Sequence, residues 1–174
     1  MRHVRRGGAY LRVADRDWDD PLSSQYALRR GGRWNPPASF GVVYLNASVP
    51  VARAQVRQKL EDRGVRPEDL QADEGPVLVH TTVPEDHYVD VVTDRGCTSL
   101  GLPSTYPVDK QEMLVPHSVC QPIGQRAWEK EETGIACRSA AGVGGTSSPG
   151  EELAFFARRP LKADQTEAFA DWYW

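Results

Sequence analysis

The segment FGVVYLNASVPVARAQVRQKLEDRG (40–64) joins a strand pattern directly to a helix pattern, and this order restricts the fold more than any other feature. FGVVYLN (40–46) is an apolar, β-branched run typical of a strand in a sheet core. Ser48 and Pro50 then mark a helix start, and apolar residues recur at helical spacing at Ala52, Val56 and Leu60. The sequence therefore predicts a core strand followed at once by an amphipathic helix.

Other segments predict further strands and helices in mixed order. Strand composition is found in AYLRV (9–13), VLVHTTV (77–83), HYVDVV (87–92) and GIACRSA (134–140). Pro84 is expected to separate the second of these from the third. A second helix is predicted to begin at Pro122, and the capping-box pattern of Asp164 and Glu167 predicts a last helix over about 164–174.

Length and element order together predict one domain over 1–174. A chain of 174 residues that is 40% hydrophobic can bury one core. The mixture of strands and helices, without an internal repeat, predicts an α+β fold with one mixed or antiparallel sheet and flanking helices. The glycine-rich run AAGVGGTSSPG (140–150) is predicted to be a loop.

Charge and composition exclude several functional classes. A net charge of −3 gives no general attraction for nucleic acid or an anionic membrane, and no run approaches the ~18 apolar residues of a spanning helix. We therefore expect a cytoplasmic protein that binds neither nucleic acid nor membrane directly. Cysteines and histidines are scattered, which predicts neither a disulfide framework nor a metal site.

One short basic turn is a candidate anion site. Arg29, Arg30 and Arg33 surround Gly31 and Gly32, which let a backbone approach a phosphate closely. The alternative is a loop with solvated arginines. An independent candidate is Arg12, which lies in a strand pattern and needs a partner if it is buried; an aspartate of the following loop or a ligand phosphate would serve.

Three further residues have both a structural and a functional interpretation. Tyr44 is a core aromatic or part of a site, and Trp34 packs the turn or forms a wall for a base. Ser139 ends a strand or hydrogen-bonds a ligand. The chain lacks the G-x-S-x-G elbow, the P-loop and G-x-G-x-x-G, so the common hydrolase and nucleotide-binding motifs give no support to a function.

Several motifs, taken in order, resemble the RES domain family, the toxins of bacterial Xre–RES toxin–antitoxin pairs. They are Y-x-R (Tyr10, Arg12), GGRWNPP (31–37), VVYL (42–45), A-x-A-Q-V (52–56), CQPIGQRAW (120–128) and GIACRSA (134–140). The core motifs run from about residue 10 to 158. The most specific part is GGRWNPP with the strand and helix that follow it.

This resemblance implies an ADP-ribosyltransferase-like fold that destroys NAD+ at its bond to nicotinamide, by hydrolysis or by phosphorolysis with inorganic phosphate and without a metal. Arg12 and Arg33 would then hold the pyrophosphate or its ribose, with the backbone of Gly32 and the side chain of Trp34 beside them. Tyr44 would line the nicotinamide pocket, and Ser139 would match the family serine. The family glutamate corresponds to Gln55.

Because residue 55 is a glutamine, the sequence leaves open whether the chain is catalytically active. Cleavage of an N-glycosidic bond builds positive charge on the ribose, which a carboxylate stabilises and a neutral amide does not. Three explanations remain open. Gln55 is natural and compatible with activity, it marks a toxin that has lost activity, or it is an isosteric substitution introduced into the protein. Glu151 or Glu152, beyond the glycine-rich loop, would substitute for the missing carboxylate only if they reach the site, and they rank below Gln55.

The resemblance leads to three functional hypotheses. The first is an NAD+-degrading toxin, neutralised in an oligomeric toxin–antitoxin complex by an Xre-type helix-turn-helix antitoxin that covers the active site. The second is a catalytically impaired RES-like module that acts by binding a nucleotide or the antitoxin. The third is transfer of ADP-ribose to a macromolecule.

Overall fold

A computed structural model describes residues 1–70, 74–141 and 150–174. Its strands are β1 (His3–Ala14), β2 (Val42–Asn46), β3 (Val77–Val91), β4 (Gly134–Arg138), β5 (Glu151–Phe156) and β6 (Ala163–Glu167). Its α-helices are α1 (Gln25–Arg30), α2 (Val49–Glu61), α3 (Asp94–Ser99), α4 (His117–Glu129) and α5 (Phe169–Trp172), and Pro67–Asp69 forms one 3-10 turn. The predicted loop at 140–150 falls largely outside the described residues.

The strands form one mixed sheet that closes on itself. Its order is β1-β2-β5-β4-β3-β6, and β1 also pairs with β3, so five strands make a hydrogen-bonded ring. The β3–β4 pair is parallel and the other pairs are antiparallel. Helices flank this sheet, so the predicted α+β class with a mixed sheet is confirmed.

Side chains alternate between the inside and the outside of this ring, as strand geometry requires. The inner face buries an apolar cluster that includes Tyr10, Val43, Leu45, Val79, Leu153 and Phe155. On the outside, one cluster lies among α3, α4 and the loop that contains GGRWNPP (31–37, the motif loop), and another lies under α2 and α5. The outer face of β2, β5 and β4 therefore lies between two helical layers.

The helix α2 confirms the expectation from the sequence. Its buried residues are Val51, Ala52, Val56 and Leu60. They pack with Leu11 and Leu78 of the sheet and with the aromatic C-terminus. Arg53 of α2 connects this helix to α5 and the residues after it. Its guanidinium donates to the carbonyl oxygen of Trp172, at 3.1 and 2.8 Å, and to that of Trp174, at 2.8 Å.

The prediction of two strands separated at Pro84 is wrong, because β3 is continuous from Val77 to Val91. The pairing with β1 shifts between Arg6 and Gly8, opposite Pro84 and Glu85. Two residues of β3 thus oppose Gly7 alone, which is a β-bulge. A proline is accommodated at a bulge because the ladder is interrupted there and needs no donor from it.

Three helix predictions need correction. The second helix begins at His117, and Pro122 lies inside it. The segment after Thr93, where no helix was predicted, contains α3, whose start is capped by the Thr93 hydroxyl accepting from Gly96 N. The capping-box interpretation of Asp164 and Glu167 is also wrong: this stretch is β6, and only the four residues of α5 are helical thereafter.

The final strand explains why a capping pattern failed. Glu167 lies opposite Leu78 in the β3–β6 ladder, and its carboxylate contacts the His80 ring. Thr82 donates to the Asp164 carboxylate at 2.8 Å. The two acidic side chains are therefore engaged across strands, and tertiary pairing overrides a local helix signal.

Candidate active site

The motif loop after α1 is held by backbone and amide hydrogen bonds. Gly31 has φ +74° and ends α1, where its N–H donates to Ala27 O at 2.8 Å. The Asn35 amide nitrogen donates to Ala27 O at 2.8 Å and to Phe40 O at 3.2 Å. Gly32 N donates to Asn35 O at 2.9 Å. Asn35 is completely buried, so it fixes the shape of the loop.

Tyr44 connects this loop to β2. Its phenol oxygen accepts from Trp34 N at 2.9 Å and donates to Asn35 Oδ1 at 2.8 Å. Burial is the main cause that raises the pKa of Tyr44, so the phenol is neutral at physiological pH. Tyr44 is thus a hydrogen-bonding group with a fixed orientation rather than a base.

Arg33 and Trp34 point to different environments. Arg33 Nη1 donates to Val115 O at 2.8 Å, and its guanidinium also contacts Cys120. Trp34 is 1% exposed, and its indole N–H donates to Cys137 Sγ at 3.4 Å. The packing interpretation of Trp34 is therefore favoured over an exposed wall for a base.

Three strands present polar side chains side by side on the outer face. In the ladder, Glu152 of β5 lies between Asn46 of β2 and Cys137 of β4. Asn46 is buried, and its amide donates to Gln55 Oε1 at 3.2 Å. Because α2 follows β2 after a two-residue turn, Gln55 is brought directly over the end of that strand.

Ser139 completes this cluster from the end of β4. It is fully buried, its backbone N–H donates to Gly150 O at 2.6 Å, and its hydroxyl accepts from Ala141 N at 3.1 Å. The same hydroxyl donates to Glu152 Oε1. The glutamate also hydrogen-bonds the Gln55 side chain. The predicted residues Gln55 and Ser139 therefore meet at one carboxylate.

The ionisation of Glu152 reflects opposing influences. Burial raises the pKa of its carboxyl, while hydrogen bonds from Ser139 and Gln55 and the positive charge of Arg33 act in the opposite direction. Arg33 is thus close enough to act electrostatically on the cluster. The result is a partly buried carboxyl group with neutral hydrogen-bond donors in contact with it and a cation nearby.

The structure does not bring Arg12 to this cluster. Arg12 lies opposite Val79, on the inner face of the ring, whereas Tyr44 and Asn46 face outward. Its Nη2 donates to Ser23 O at 2.9 Å, and its guanidinium lies 5.4 Å from the centre of the Trp18 ring. Burial lowers the pKa of Arg12 to about 10. Its buried Nη1 has no protein partner among the described residues.

A surface depression of about 460 Å³ adjoins the cluster, since its lining includes the chain neighbours of Gln55 and Ser139. The residues that line it are Ala54, Arg57, Gln58, Glu61, Glu112, Met113, Leu114 and Ala140. Met113 is 65% exposed. The polar cluster is thus next to an open, mixed polar and apolar surface that a small molecule or a protein segment can reach.

Glu152 lies within the polar cluster, a position that the sequence pattern did not predict for it. It follows the glycine-rich run, which gave no indication of its position. One signal was present: Glu152, Ala154 and Phe156 alternate along a single face, and the other two are core residues. A carboxylate that continues a buried apolar row needs hydrogen-bond partners, which is a functional indication.

Two negative findings apply to the part of the chain that the structure describes. No three side chains of His, Cys, Asp or Glu come together there as a metal centre requires. No helix there has the length and apolar character to cross a bilayer. The absence of a metal from the reaction and the cytoplasmic location both stay predictions.

A mixed sheet closed into a ring, with an Arg-Tyr-Gln-Ser-Glu cluster on its outer face, agrees with the family indicated by the motifs. The RES domain model matches residues 9–172. The protein belongs to the RES domain family.

Individual relatives carry a functional name. The NAD(+) phosphorylase MbcT of Mycobacterium tuberculosis and that of Mycobacterium bovis are each 31% identical to this chain over 128 residues. The match covers 72% of this chain but only 64% of each relative, so it spans just under two thirds of their length.

A solved structure has the same fold. The crystal structure of the M. tuberculosis MbcT–MbcA toxin–antitoxin complex contains a chain that superposes with a TM-score of 0.77 at 23% identity. The superposition covers 98% of this chain and 91% of that one. The likeness therefore extends through the sheet and the helices that hold the candidate site.

Proposed function

We propose that this protein is a toxin that degrades NAD+ by phosphorolysis of the nicotinamide–ribose bond. The observation that carries the proposal is the cluster on the outer face of β2, β5 and β4, where side chains from distant motifs come within hydrogen-bond reach of one another. The name of the M. tuberculosis and M. bovis relatives supports NAD+ as substrate and inorganic phosphate as acceptor.

The roles of the site residues follow from their chemistry. Arg33 holds an anionic group of NAD+, because a guanidinium has five N–H donors and Val115 O and Cys120 engage only part of them. Tyr44 lines the nicotinamide pocket as a neutral phenol. Gln55 and Ser139 orient the ribose by hydrogen bonds.

The proposed reaction breaks one bond and forms one. The C1–N bond between ribose and nicotinamide breaks, and its electron pair goes to the ring nitrogen, which neutralises the pyridinium. The ribose carbon becomes oxocarbenium-like, and a phosphate oxygen adds to it. A phosphate dianion needs no base for this step, whereas water would release a proton.

Product analysis tests the proposal. Purified protein is incubated with NAD+ in phosphate and in phosphate-free buffer, and nicotinamide and the ADP-ribose product are separated by chromatography. Phosphorolysis gives a phosphorylated ADP-ribose and depends on phosphate. Release of free ADP-ribose in both buffers identifies hydrolysis instead, and label moving from NAD+ into protein or nucleic acid identifies transfer.

A second candidate is a catalytically silent module that binds a nucleotide or an antitoxin. The observation in its favour is the neutral Gln55 at the position of the family glutamate. This alternative requires that calorimetry detects NAD+ or antitoxin binding while no turnover occurs with the unaltered chain.

We also propose that an antitoxin of the Xre helix-turn-helix type covers the site in an oligomeric complex. The structurally similar M. tuberculosis toxin was solved together with its antitoxin MbcA, which supports a toxin–antitoxin pairing. Co-expression with a candidate helix-turn-helix antitoxin encoded beside the gene of this chain, followed by co-purification, tests it. The antitoxin should abolish nicotinamide release and exclude NAD+ from the complex.

A further inference from the structure

Glu152 occupies the place in the cluster from which a carboxylate could serve a ligand at Gln55 and Ser139. It is on β5, the middle strand of three, with Asn46 beside it on β2 and Cys137 beside it on β4. Its carboxylate accepts from the Ser139 hydroxyl and hydrogen-bonds the Gln55 side chain. One side chain therefore contacts both residues that match the family glutamate and the family serine.

The preceding residue provides an internal contrast. Glu151 lies on the opposite face of β5, where its carboxylate accepts two hydrogen bonds from Arg6, at 2.5 and 2.9 Å. That carboxylate is neutralised by a salt bridge on the inner side of the ring. Glu152 has neutral donors instead, and Arg33 acts on it only through its field. Among the described residues no cation forms a salt bridge with Glu152, so its carboxylate, when ionised, is not neutralised as that of Glu151 is.

The identity of residue 55 fits the presence of Glu152. A glutamine amide donates a hydrogen bond to a neighbouring carboxylate, whereas two carboxylates in that contact would repel or share one proton. The cluster therefore keeps one negative charge when residue 55 is an amide and residue 152 is a carboxylate. The Gln55 side chain acts on the Glu152 carboxyl as a hydrogen-bond donor, so the two positions are adjacent in the cluster.

We propose that Glu152 is the catalytic carboxylate of this chain and supplies the charge that Gln55 lacks. Its anion faces the ribose and stabilises the oxocarbenium-like carbon as the C1–N electron pair leaves with nicotinamide. Gln55 and Ser139 hold the carboxylate in place and contact the ribose. This inference rests on the proposed function, because it needs NAD+ cleavage as its reaction.

Four variants test the proposal: Glu152→Gln, Glu151→Gln, Gln55→Glu and the double variant Gln55→Glu/Glu152→Gln. Each is assayed for nicotinamide release from NAD+ with inorganic phosphate. We expect Glu152→Gln to lower kcat by about 10²–10³-fold, the usual effect of removing one electrostatic contribution to a transition state. KM should change by less than about threefold, because a glutamine keeps the hydrogen bonds to the bound substrate.

The double variant separates charge from structure. It returns one carboxylate to the cluster at position 55, and we expect it to recover activity to within about tenfold of the unaltered chain. Glu151→Gln is the matched control and should retain its activity. Thermal unfolding of each variant, and calorimetric NAD+ binding, verify that an inactive variant is folded and loaded.

Three outcomes would overturn the inference. A folded Glu152→Gln variant as active as Glu151→Gln means that Glu152 supplies nothing. A folded double variant as inactive as Glu152→Gln means that the charge is not what was lost. Turnover by Gln55→Glu alone, with none by the unaltered chain, means that Glu152 does not replace the family glutamate. Failure of the proposed function is different, since then neither the unaltered chain nor Gln55→Glu releases nicotinamide.

Discussion

Gly32 and Tyr44 are in such close contact that a Cβ atom on residue 32 would lie 2.4 Å from the phenol oxygen. The phenol is fixed from the other side by Trp34 N and Asn35 Oδ1, so it has no room to retreat. The motif loop and β2 therefore fit together only with a glycine at this position. The second glycine of the motif, Gly32, is therefore required for packing against Tyr44, whether or not a ligand also contacts the loop.

Gly32→Ala should displace Tyr44 and loosen the motif loop. We expect it to lower the free energy of unfolding by about 1–3 kcal/mol, the usual cost of inserting an atom into a packed site, and to reduce NAD+ turnover. Urea unfolding and the nicotinamide assay measure both. Gly64→Ala is a control, because that position has φ +67° and open space around it: it should cost about 1 kcal/mol without changing turnover. A Gly32→Ala variant with unchanged stability and turnover would contradict the packing.

Substitutions of Arg33 and of Arg12 should have different kinetic effects, because the two side chains lie on opposite sides of the sheet. Arg33→Met removes a guanidinium proposed to hold an anion, and such charged hydrogen bonds contribute about 1.5–3 kcal/mol. We therefore expect KM for NAD+ to rise by about 10–100-fold. Steady-state kinetics provide the measurement.

Arg12→Met should instead affect stability. It leaves the Ser23 carbonyl without its donor, at a cost of about 1–3 kcal/mol, and KM should stay unchanged. Denaturant unfolding measures the first effect and the nicotinamide assay the second. An equal rise in KM for both variants would place Arg12 at the NAD+ site, as the family resemblance implies.

The stability of Glu152→Gln should depend on pH in a defined direction. Burial raises the pKa of Glu152, so the folded state holds this proton more tightly than the unfolded state. The contribution of this carboxyl to stability is greatest below its unfolded pKa and is lost as pH rises through the raised folded value. Glu152→Gln should thus unfold at a higher temperature than the parent chain near neutral pH, and the difference should shrink as the pH falls from above the raised folded pKa to 4.5, the ordinary pKa of a glutamate. Melting curves at several pH values test this, and an advantage that grows in acid would refute it.

Arg53→Ala should detach the C-terminal aromatic residues from α2. The guanidinium donates to the carbonyl oxygens of Trp172 and Trp174, and losing these charged hydrogen bonds should cost about 1.5–3 kcal/mol. Arg57→Ala, exposed on the same helix, is the stability control and should change the unfolding free energy by less than about 0.5 kcal/mol. Equal effects of the two variants would show that the carbonyl contacts do not stabilise the fold.

The sequence correctly predicted those strands and helices whose residue pattern is contained within the element itself. The strand β2 and the helix α2 have clear periodicity, so their type and most of their limits were evident from the sequence. The failures at Pro84, Asp164 and Glu167 have a common cause. The conformation of each residue depends on pairing with a distant strand, which the neighbouring sequence does not indicate. Pro84 lies at a β-bulge, and Asp164 and Glu167 lie in the β3–β6 ladder.

The candidate site was predicted in part for the same reason. Arg33, Tyr44, Gln55 and Ser139 were found through motifs, and the structure brings them to one side of the sheet. Arg12 shares a motif with the site but faces the opposite way, because strand alternation depends on register. Glu152 lies beyond a glycine-rich run, and only the pairing of β5 between β2 and β4 indicates its neighbours.

The order of strands in the ring distributes the site between the two halves of the polypeptide. Arg33, Tyr44 and Gln55 precede the 3-10 turn at Pro67–Asp69, and Ser139 and Glu152 follow β3. A single cut between that turn and β3 would give two fragments, each with part of the candidate site and neither, on its own, with a closed ring. Two separately expressed fragments, each with only part of the candidate site, therefore offer a route to reconstituting the protein on demand.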